Sequence, residues 1–123
     1  MNLLTSRNCA LLFGAVFVAV GVLGFIPNPL VSEHGLFMVN PAHNLVHILT
    51  GAFMLSAPLA LKGKESLFLK IGGGLYLLVA ILGFLIKGDM LVGVIMLSDT
   101  DRYLHVLLAA ALLGAGFFAR DAT

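Results

Sequence analysis

Charged residues are scarce in this chain: they make up 11% of its 123 residues, and the net charge is only +1. A protein that binds nucleic acid by neutralising phosphates needs many more cations on one face, so that class of function is excluded. Hydrophobic residues make up 60% of the chain and the mean hydropathy is +1.08, far above the soluble average. This composition predicts an integral membrane protein whose surface contacts the lipid bilayer.

Two other features are also missing. Cys9 is the only cysteine, and one thiol can neither close an intramolecular disulfide nor pair in a redox or metal couple. We therefore expect Cys9 to be a small buried hydrophobic residue. The glycines at residues 72–74 have no Lys-Ser or Lys-Thr after them, so they do not predict a nucleotide-binding loop. Such glycines are typical of close helix packing in lipid.

Four apolar runs occupy most of the chain, at residues 9–26, 41–61, 67–86 and 98–119. Each is long enough to cross a bilayer as a helix, and a spanning helix satisfies its own backbone hydrogen bonds. The sequence therefore predicts an all-α fold, a four-transmembrane-helix bundle in a single domain over residues 1–123. The first run ends at Pro27 without a small-residue cleavage site, so we expect no cleaved signal peptide.

Cations mark one end of the predicted bundle. Arg7 and Arg120 flank the termini, and Lys62, Lys64 and Lys70 flank the middle loop. The positive-inside rule predicts that this end, with both termini, is cytoplasmic. The two longer loops then face outward and carry Glu33, His34, Asp89 and Asp99.

The two halves of the chain also resemble each other. Gly14, Phe17, Val20, Leu23, Gly24 and Phe25 match Gly73, Tyr76, Val79, Leu82, Gly83 and Phe84, and after a slip of one residue Met38, Asn40, His43 and His47 match Met96, Ser98, Asp101 and His105. We therefore predict two parallel helix-pair repeats, at residues 9–61 and 67–119. Because each repeat returns to its starting side, the repeats are related by an axis along the membrane normal.

The matched polar residues begin the second and fourth apolar runs, at residues 40–47 (the first helix head) and 98–105 (the second helix head). Asn40 followed by Pro41 is a standard helix start. In each head two ionisable residues then share one helical face: His43 and His47 in the first, Asp101 and His105 in the second. Ionisable residues inside a membrane indicate a functional site by default.

If both faces turn toward the axis, three imidazoles and one carboxylate converge. This donor set suits a divalent transition metal, zinc first, with iron, manganese, copper or nickel as competitors. His43, His47 and His105 are then nitrogen ligands, and Asp101 is an oxygen ligand or a neighbouring partner of the ligands. No residue is assigned a catalytic role, and the pattern does not favour an enzyme.

Three alternatives stay open. In the first, the cluster is purely structural, because Ser98 followed by Asp101 is a capping-box pattern, and the chain is an accessory subunit of a larger membrane complex. In the second, His47 and His105 ligate a haem from facing helices. In the third, the cluster serves a quinone-linked redox carrier. The expected partners are the lipid bilayer and either a membrane-complex subunit or a second copy of the chain, with no nucleic acid and no nucleotide.

The sequence also resembles a known family. The segments at residues 24–27 and 35–47, followed by Gly51, Asp101 and His105, are similar to the bacterial four-helix membrane family catalogued as domain of unknown function four-three-eight-three, whose most specific motif is NPxHNxxH. This resemblance implies four spans in the bacterial cytoplasmic membrane and a shared polar motif, but no activity. Ser98 and Arg102 replace two asparagines of the family pattern, which argues against a role that needs an amide there.

Overall fold

The computed structural model describes residues 5–86, 88, 90–91 and 93–120. This part of the chain forms a bundle of four α-helices, α1 (Ser6–Leu23), α2 (Pro41–Ala60), α3 (Glu65–Leu85) and α4 (Asp99–Phe118). The all-α four-helix prediction is therefore confirmed. Lys87 and Asp89, which follow the third apolar run, lie outside the described residues, and so do residues 1–4 and 121–123 of the predicted single domain.

Each of the two longer loops contains a pair of short strands. Between α1 and α2, β1 (Val31–Ser32) pairs in parallel with β2 (Phe37–Met38). Between α3 and α4, β3 (Met90–Leu91) pairs antiparallel with β4 (Ile95–Met96). The order helix, strand, strand, helix thus occurs in both halves of the described chain, although the direction of strand pairing differs.

The helices begin where side chains satisfy the free backbone N–H groups of the first turn. The Thr5 hydroxyl accepts from the Asn8 N–H, so α1 starts a few residues before its apolar run. The α2 helix starts at Pro41 after the Asn40 cap, as predicted. The α4 helix starts after Ser98. These caps fix the first residue of the helices more sharply than hydropathy does.

Three of these helices, α1, α3 and α4, are long and apolar enough to cross a membrane. The α2 helix has 20 residues and no Asp, Glu, Lys or Arg, but its histidines, asparagine and prolines lower its mean hydropathy. His43, Asn44 and His47 are buried inside the bundle, whereas Leu45 and Leu49 on α2 are exposed. The outer face of α2 is therefore apolar, and its polar residues point inward.

The bundle is built from two antiparallel helix pairs. The α1 helix packs mainly against α2, and α3 packs mainly against α4. The α1 and α2 backbones approach closely at Gly14 and Gly51, where a Cβ on Gly51 would lie 2.6 Å from the Gly14 carbonyl oxygen. Such close approach is typical of helix packing in lipid. The glycines at residues 72–74 lie within α3, so they do not form a loop.

Both described chain ends lie at the same end of the bundle. The Ser6 N–H donates to the Arg120 carbonyl oxygen at 2.7 Å. Because the paired helices are antiparallel, the link between α2 and α3 lies at this end too, with exposed Lys62 and Lys64. The strand loops and both helix heads lie at the opposite end. An apolar core cluster, which includes Met54, Leu69 and Leu112, fills the bundle below the helix heads.

Candidate metal centre

The first helix head is tied to the loop of the other helix pair. The Asn40 Oδ1 atom accepts from the His43 N–H at 3.0 Å and from the Met96 N–H at 3.2 Å. Asn40 Nδ2 donates to the Val94 carbonyl oxygen at 2.8 Å. Because Asn40 caps α2 with its own amide, the side chain of His43 is not needed for capping.

His43 is therefore free to turn its ring into the bundle. Its Nδ1 lies 2.6 Å from the Met96 carbonyl oxygen. A carbonyl can only accept, so Nδ1 carries the proton and Nε2 keeps its lone pair. A hydrogen bond from one ring nitrogen to a carbonyl is the usual way in which a protein orients a metal-binding histidine.

The second helix head uses its acidic residue differently. Ser98 Oγ accepts from the Asp101 N–H at 3.4 Å, while Asp101 Oδ2 accepts from the Ser98 N–H at 3.1 Å and from Ser98 Oγ at 2.8 Å. This is the capping box that the sequence pattern suggested. Thr100 Oγ1 also donates to the Leu36 carbonyl oxygen at 2.6 Å, which ties this head to the first strand loop.

Three of the predicted site residues converge inside the bundle. His43 and His47 from α2 and His105 from α4 have exposed fractions of 2%, 5% and 2%. One ligand atom from each ring can be chosen so that these atoms all lie within 4.8 Å of one another. The ring centroids are 4.7 Å apart for His43 and His47, and 5.6 Å apart for His43 and His105.

Two nitrogens of this histidine cluster have no partner among the described residues. The Nδ1 atoms of His47 and His105 are fully buried and make no hydrogen bond. A buried polar atom left without a partner costs about 1–3 kcal/mol, and a bound metal ion removes that cost for each ligating nitrogen. Nitrogens on a tetrahedral zinc ion are about 3.3 Å apart, so the rings need to close by roughly 1.5 Å or less to bind one.

Asp101 is buried beside the cluster, but it is not one of the three residues whose ligand atoms converge. Its charge interacts with His43, while its Oδ2 atom is engaged in the capping box. Ligation by Asp101 therefore stays a prediction, and the geometry assigns it more directly to the helix cap.

Two aromatic residues that we did not predict complete the surroundings of the cluster. Phe17 from α1 stacks on His47 with centroids 5.6 Å apart, and Tyr76 from α3 lies 5.7 Å from His105. The Tyr76 hydroxyl donates to Thr50 Oγ1 at 3.5 Å. All four helices thus contribute to the site. The signal for these residues is present in the sequence, since Phe17 and Tyr76 are matched positions of the predicted repeat.

The sequence did not predict that Arg102 is buried. Arg102 donates from Nε to the Gly83 carbonyl oxygen at 2.8 Å and from Nη2 to the Gly88 carbonyl oxygen, and it pairs with exposed Asp99 at 2.5 Å. Arg102 thereby binds the end of α3 and the following loop to α4.

The remaining candidates lie away from the cluster. Glu33 and His34 are exposed in the loop between β1 and β2. Cys9 is partly buried and packs against the apolar core, so a packing role fits its position.

A family model described as Domain of unknown function (DUF4383) matches residues 7–118. The matched region includes all four helices except the first residue of α1, and it includes both helix heads. No curated protein and no solved structure shows a significant match to the chain. The family match therefore gives no activity.

Proposed function

The chain belongs to the DUF4383 family, which has no assigned function, and from its buried histidine cluster we propose that it binds a divalent transition metal inside the membrane. The proposed ligands are the imidazoles of His43, His47 and His105. One observation carries the proposal: three buried rings converge with ligand atoms within 4.8 Å of one another, and two of the rings have an unpartnered nitrogen.

Imidazole donors favour zinc, copper, iron and nickel over the hard cations magnesium and calcium. Zinc is our first choice because three histidines with an open fourth position are a common zinc arrangement; iron, manganese, copper and nickel are competitors. The negative charge of Asp101 beside His43 offsets some of the charge of a divalent cation, whether Asp101 ligates the ion or acts on its ligands.

The orientation in the bilayer belongs to the same proposal. Exposed Arg7, Lys62 and Lys64 at one end of the bundle support a cytoplasmic location for that end and for both termini. The histidine cluster then lies near the outer membrane face. The apolar outer face of α2 supports four spans, related as two helix-pair repeats.

The packing of the rings favours an ion over a haem. A bis-histidine haem needs a flat slot between His47 and His105 for the porphyrin. The His43 ring lies 4.7 Å from His47 and 5.6 Å from His105, and the Tyr76 ring lies 6.4 and 5.7 Å from the same two rings. Other rings thus pack against both histidines where a porphyrin would need space.

The second candidate function is that of an accessory subunit whose cluster only fixes helix packing. The capping box at Ser98 and Asp101 and the many hydrogen bonds between the helix heads and the opposite loops support this alternative. It predicts co-purification with a membrane partner and no bound ion.

Elemental mass spectrometry on detergent-purified protein tests the proposal. We expect close to one transition-metal ion per chain in the wild type and none in His47→Ala or His105→Ala. His34→Ala is the matched control, because His34 is the remaining histidine and is exposed in a loop; this variant should keep its metal. Equal metal content in His47→Ala, His105→Ala and His34→Ala contradicts the proposal and leaves the accessory subunit as the better interpretation.

A further inference from the structure

In the loop between α3 and α4, Met96 is bonded to the first helix head through both of its backbone polar groups. Its N–H donates to Asn40 Oδ1 at 3.2 Å, and its carbonyl oxygen accepts from His43 Nδ1 at 2.6 Å. Two residues earlier, the Val94 carbonyl oxygen accepts from Asn40 Nδ2 at 2.8 Å. One amide side chain thus holds residues 94–97, which we call the coupled segment, against the ring of a proposed metal ligand.

The matched part of the first strand loop has a different attachment. The N–H of Met38, which matches Met96, donates to Ser98 Oγ at 3.4 Å, and the Leu36 carbonyl oxygen accepts from Thr100 Oγ1 at 2.6 Å. Both bonds end at the start of α4, and neither involves a histidine. The bond to a proposed ligand therefore belongs to the coupled segment, and residues 36–38 provide a natural comparison for it.

The bond between His43 and Met96 responds to a metal ion on the same ring. An ion on Nε2 places positive charge on the imidazole, and a hydrogen bond from a charged donor is stronger than one from a neutral donor. In the other direction, the Met96 carbonyl keeps the proton on Nδ1, so that the Nε2 lone pair is ready for the ion. Each event therefore favours the other.

We propose that metal occupancy of the histidine cluster and the position of the coupled segment control each other through the bond between His43 and Met96. A bound divalent ion fastens the segment to the helix head, and release of the segment lowers the affinity for the ion. This inference rests on the proposed metal centre. Coupling of this kind is reciprocal, so both effects have the same size.

The coupling links a buried site to the surface of the bundle. His43 is 2% exposed, whereas Val94 in the coupled segment is 58% exposed. Asn40 is the positioning residue of this device, because it holds the segment through two hydrogen bonds and is not itself a proposed ligand. A bound ion thus changes how firmly a surface segment is held.

Hydrogen exchange measured by mass spectrometry tests the coupling on the wild-type chain in detergent. Chelator-treated protein is compared with protein saturated with zinc. Amides of the coupled segment should exchange about tenfold more slowly with zinc, because the ion disfavours the opening that frees the Met96 N–H. Amides of residues 36–38 are the internal control and should be slowed much less. This comparison needs no variant, so a folding defect cannot obscure it.

A matched pair of variants measures the reciprocal effect on affinity. Asn40→Ser keeps a capping hydroxyl for α2, but its shorter side chain cannot hold both Val94 and Met96. Thr100→Val removes a bond between α4 and the first strand loop and leaves the coupled segment unchanged. By chelator competition, zinc affinity should fall about tenfold in Asn40→Ser, as after loss of an outer partner of a ligand, and should stay at the wild-type value in Thr100→Val. Asn40→Thr replaces Asn40→Ser if the latter does not fold.

Two results overturn this inference and leave the metal centre in place. The first is a wild-type chain that binds zinc while the coupled segment is slowed no more than residues 36–38. The second is equal zinc affinity in the wild type, Asn40→Ser and Thr100→Val. A wild-type chain that binds no zinc in the chelator competition refutes the zinc centre, and this inference with it.

Discussion

The two helix heads occupy matched positions in the sequence but present different chemistry to the bundle interior. His43 turns its ring into the histidine cluster, whereas the matched Asp101 turns a carboxylate oxygen back to its own helix start. The cap explains this difference. Asn40 caps α2 alone, while Ser98 shares its capping box with Asp101. The choice of cap thus decides which side chain stays available to a ligand.

The residues that follow His43 and Asp101, Asn44 and Arg102, also differ in their contacts. Asn44 is buried against Gly24, the residue that follows α1, and its Oδ1 atom has no partner among the described residues. The matched Arg102 is buried against Gly83 of α3 and binds the Gly83 carbonyl oxygen. Matched glycines therefore make room for both side chains, one a short amide and the other a long cation.

The third pair of matched residues behaves alike. His47 and His105 both enter the cluster, and each lies against an aromatic ring of the preceding helix, Phe17 or Tyr76. These matched contacts support the predicted repeat. They also show that the feature common to both halves lies a helical turn deeper in the bundle than the caps.

The largest difference between the two heads is expected when the side chain of the third residue after the cap, His43 or Asp101, is removed. His43→Ala should weaken metal binding by more than about 100-fold, since loss of an outer partner of a ligand alone costs 10–100-fold. Asp101→Ala should weaken binding much less, because its oxygen serves the cap. Titration with zinc under a competing chelator measures both affinities. Equal losses would mean that Asp101 is itself a ligand.

A smaller effect is expected at the matched glycines. A Cβ on Gly24 would overlap the buried Asn44 Oδ1 atom, whereas on Gly83 it would lie 2.9 Å from a terminal methyl group of Leu97 and 3.7 Å from Arg102 Cγ. Gly24→Ala should therefore lower the free energy of unfolding by about 2–3 kcal/mol, as overpacking does, and Gly83→Ala by about 1 kcal/mol. Thermal unfolding in detergent compares the two.

The control for this pair is Gly74→Ala, because among the described residues no atom beyond its own stretch of helix lies within 4 Å of a Cβ at that position. This variant should be neutral or slightly stabilising, since alanine is the better helix former. A loss in Gly74→Ala as large as that in Gly24→Ala would show that the effect is not specific to the helix head.

The smallest expected effect is the difference in unfolding free energy between variants that lose one helix cap or the other. Ser98→Ala should cost about 1 kcal/mol, the usual value for loss of a helix cap. Asn40→Ala should cost about 2 kcal/mol, because the Asn40 side chain makes two bonds to the opposite loop, with the Met96 N–H and the Val94 carbonyl. Ser98 Oγ makes one long bond of this kind, from the Met38 N–H at 3.4 Å. Chemical unfolding in mixed micelles measures the difference, and equal costs would show that the bonds to the loop add nothing to stability.

Much of the architecture could be read from local patterns. Long apolar runs have few ways to satisfy their backbone in lipid other than as helices, so the four helices and their approximate bounds were predictable. The start at Asn40-Pro41 and the capping box at Ser98 were predictable for the same reason, since caps act within one turn. The start of α1 was missed because the Thr5 cap precedes the apolar run.

The candidate site was only partly predictable. Helical spacing placed His43 with His47, and the repeat placed them opposite His105, but spacing cannot show whether Asp101 faces the cluster or the cap. Tyr76 and Arg102 were missed because hydropathy treats one as a member of an apolar run and the other as a solvated charge. The cavity of about 280 Å³ between α1 and α4 has no signal in the sequence, because it depends on how two separate helices pack.

Interactions between neighbours along the chain set the helices, their caps, the apolar outer surface and the face that His43 and His47 share, so these features follow from the sequence. Contacts between distant residues set the remaining features: Met96 orients His43, and aromatic rings from α1 and α3 enclose the histidine cluster. The physical reason is the distance along the chain over which each interaction acts. Backbone hydrogen bonds and hydropathy act within a turn or a span, whereas a binding site depends on the distance between side chains of separate helices.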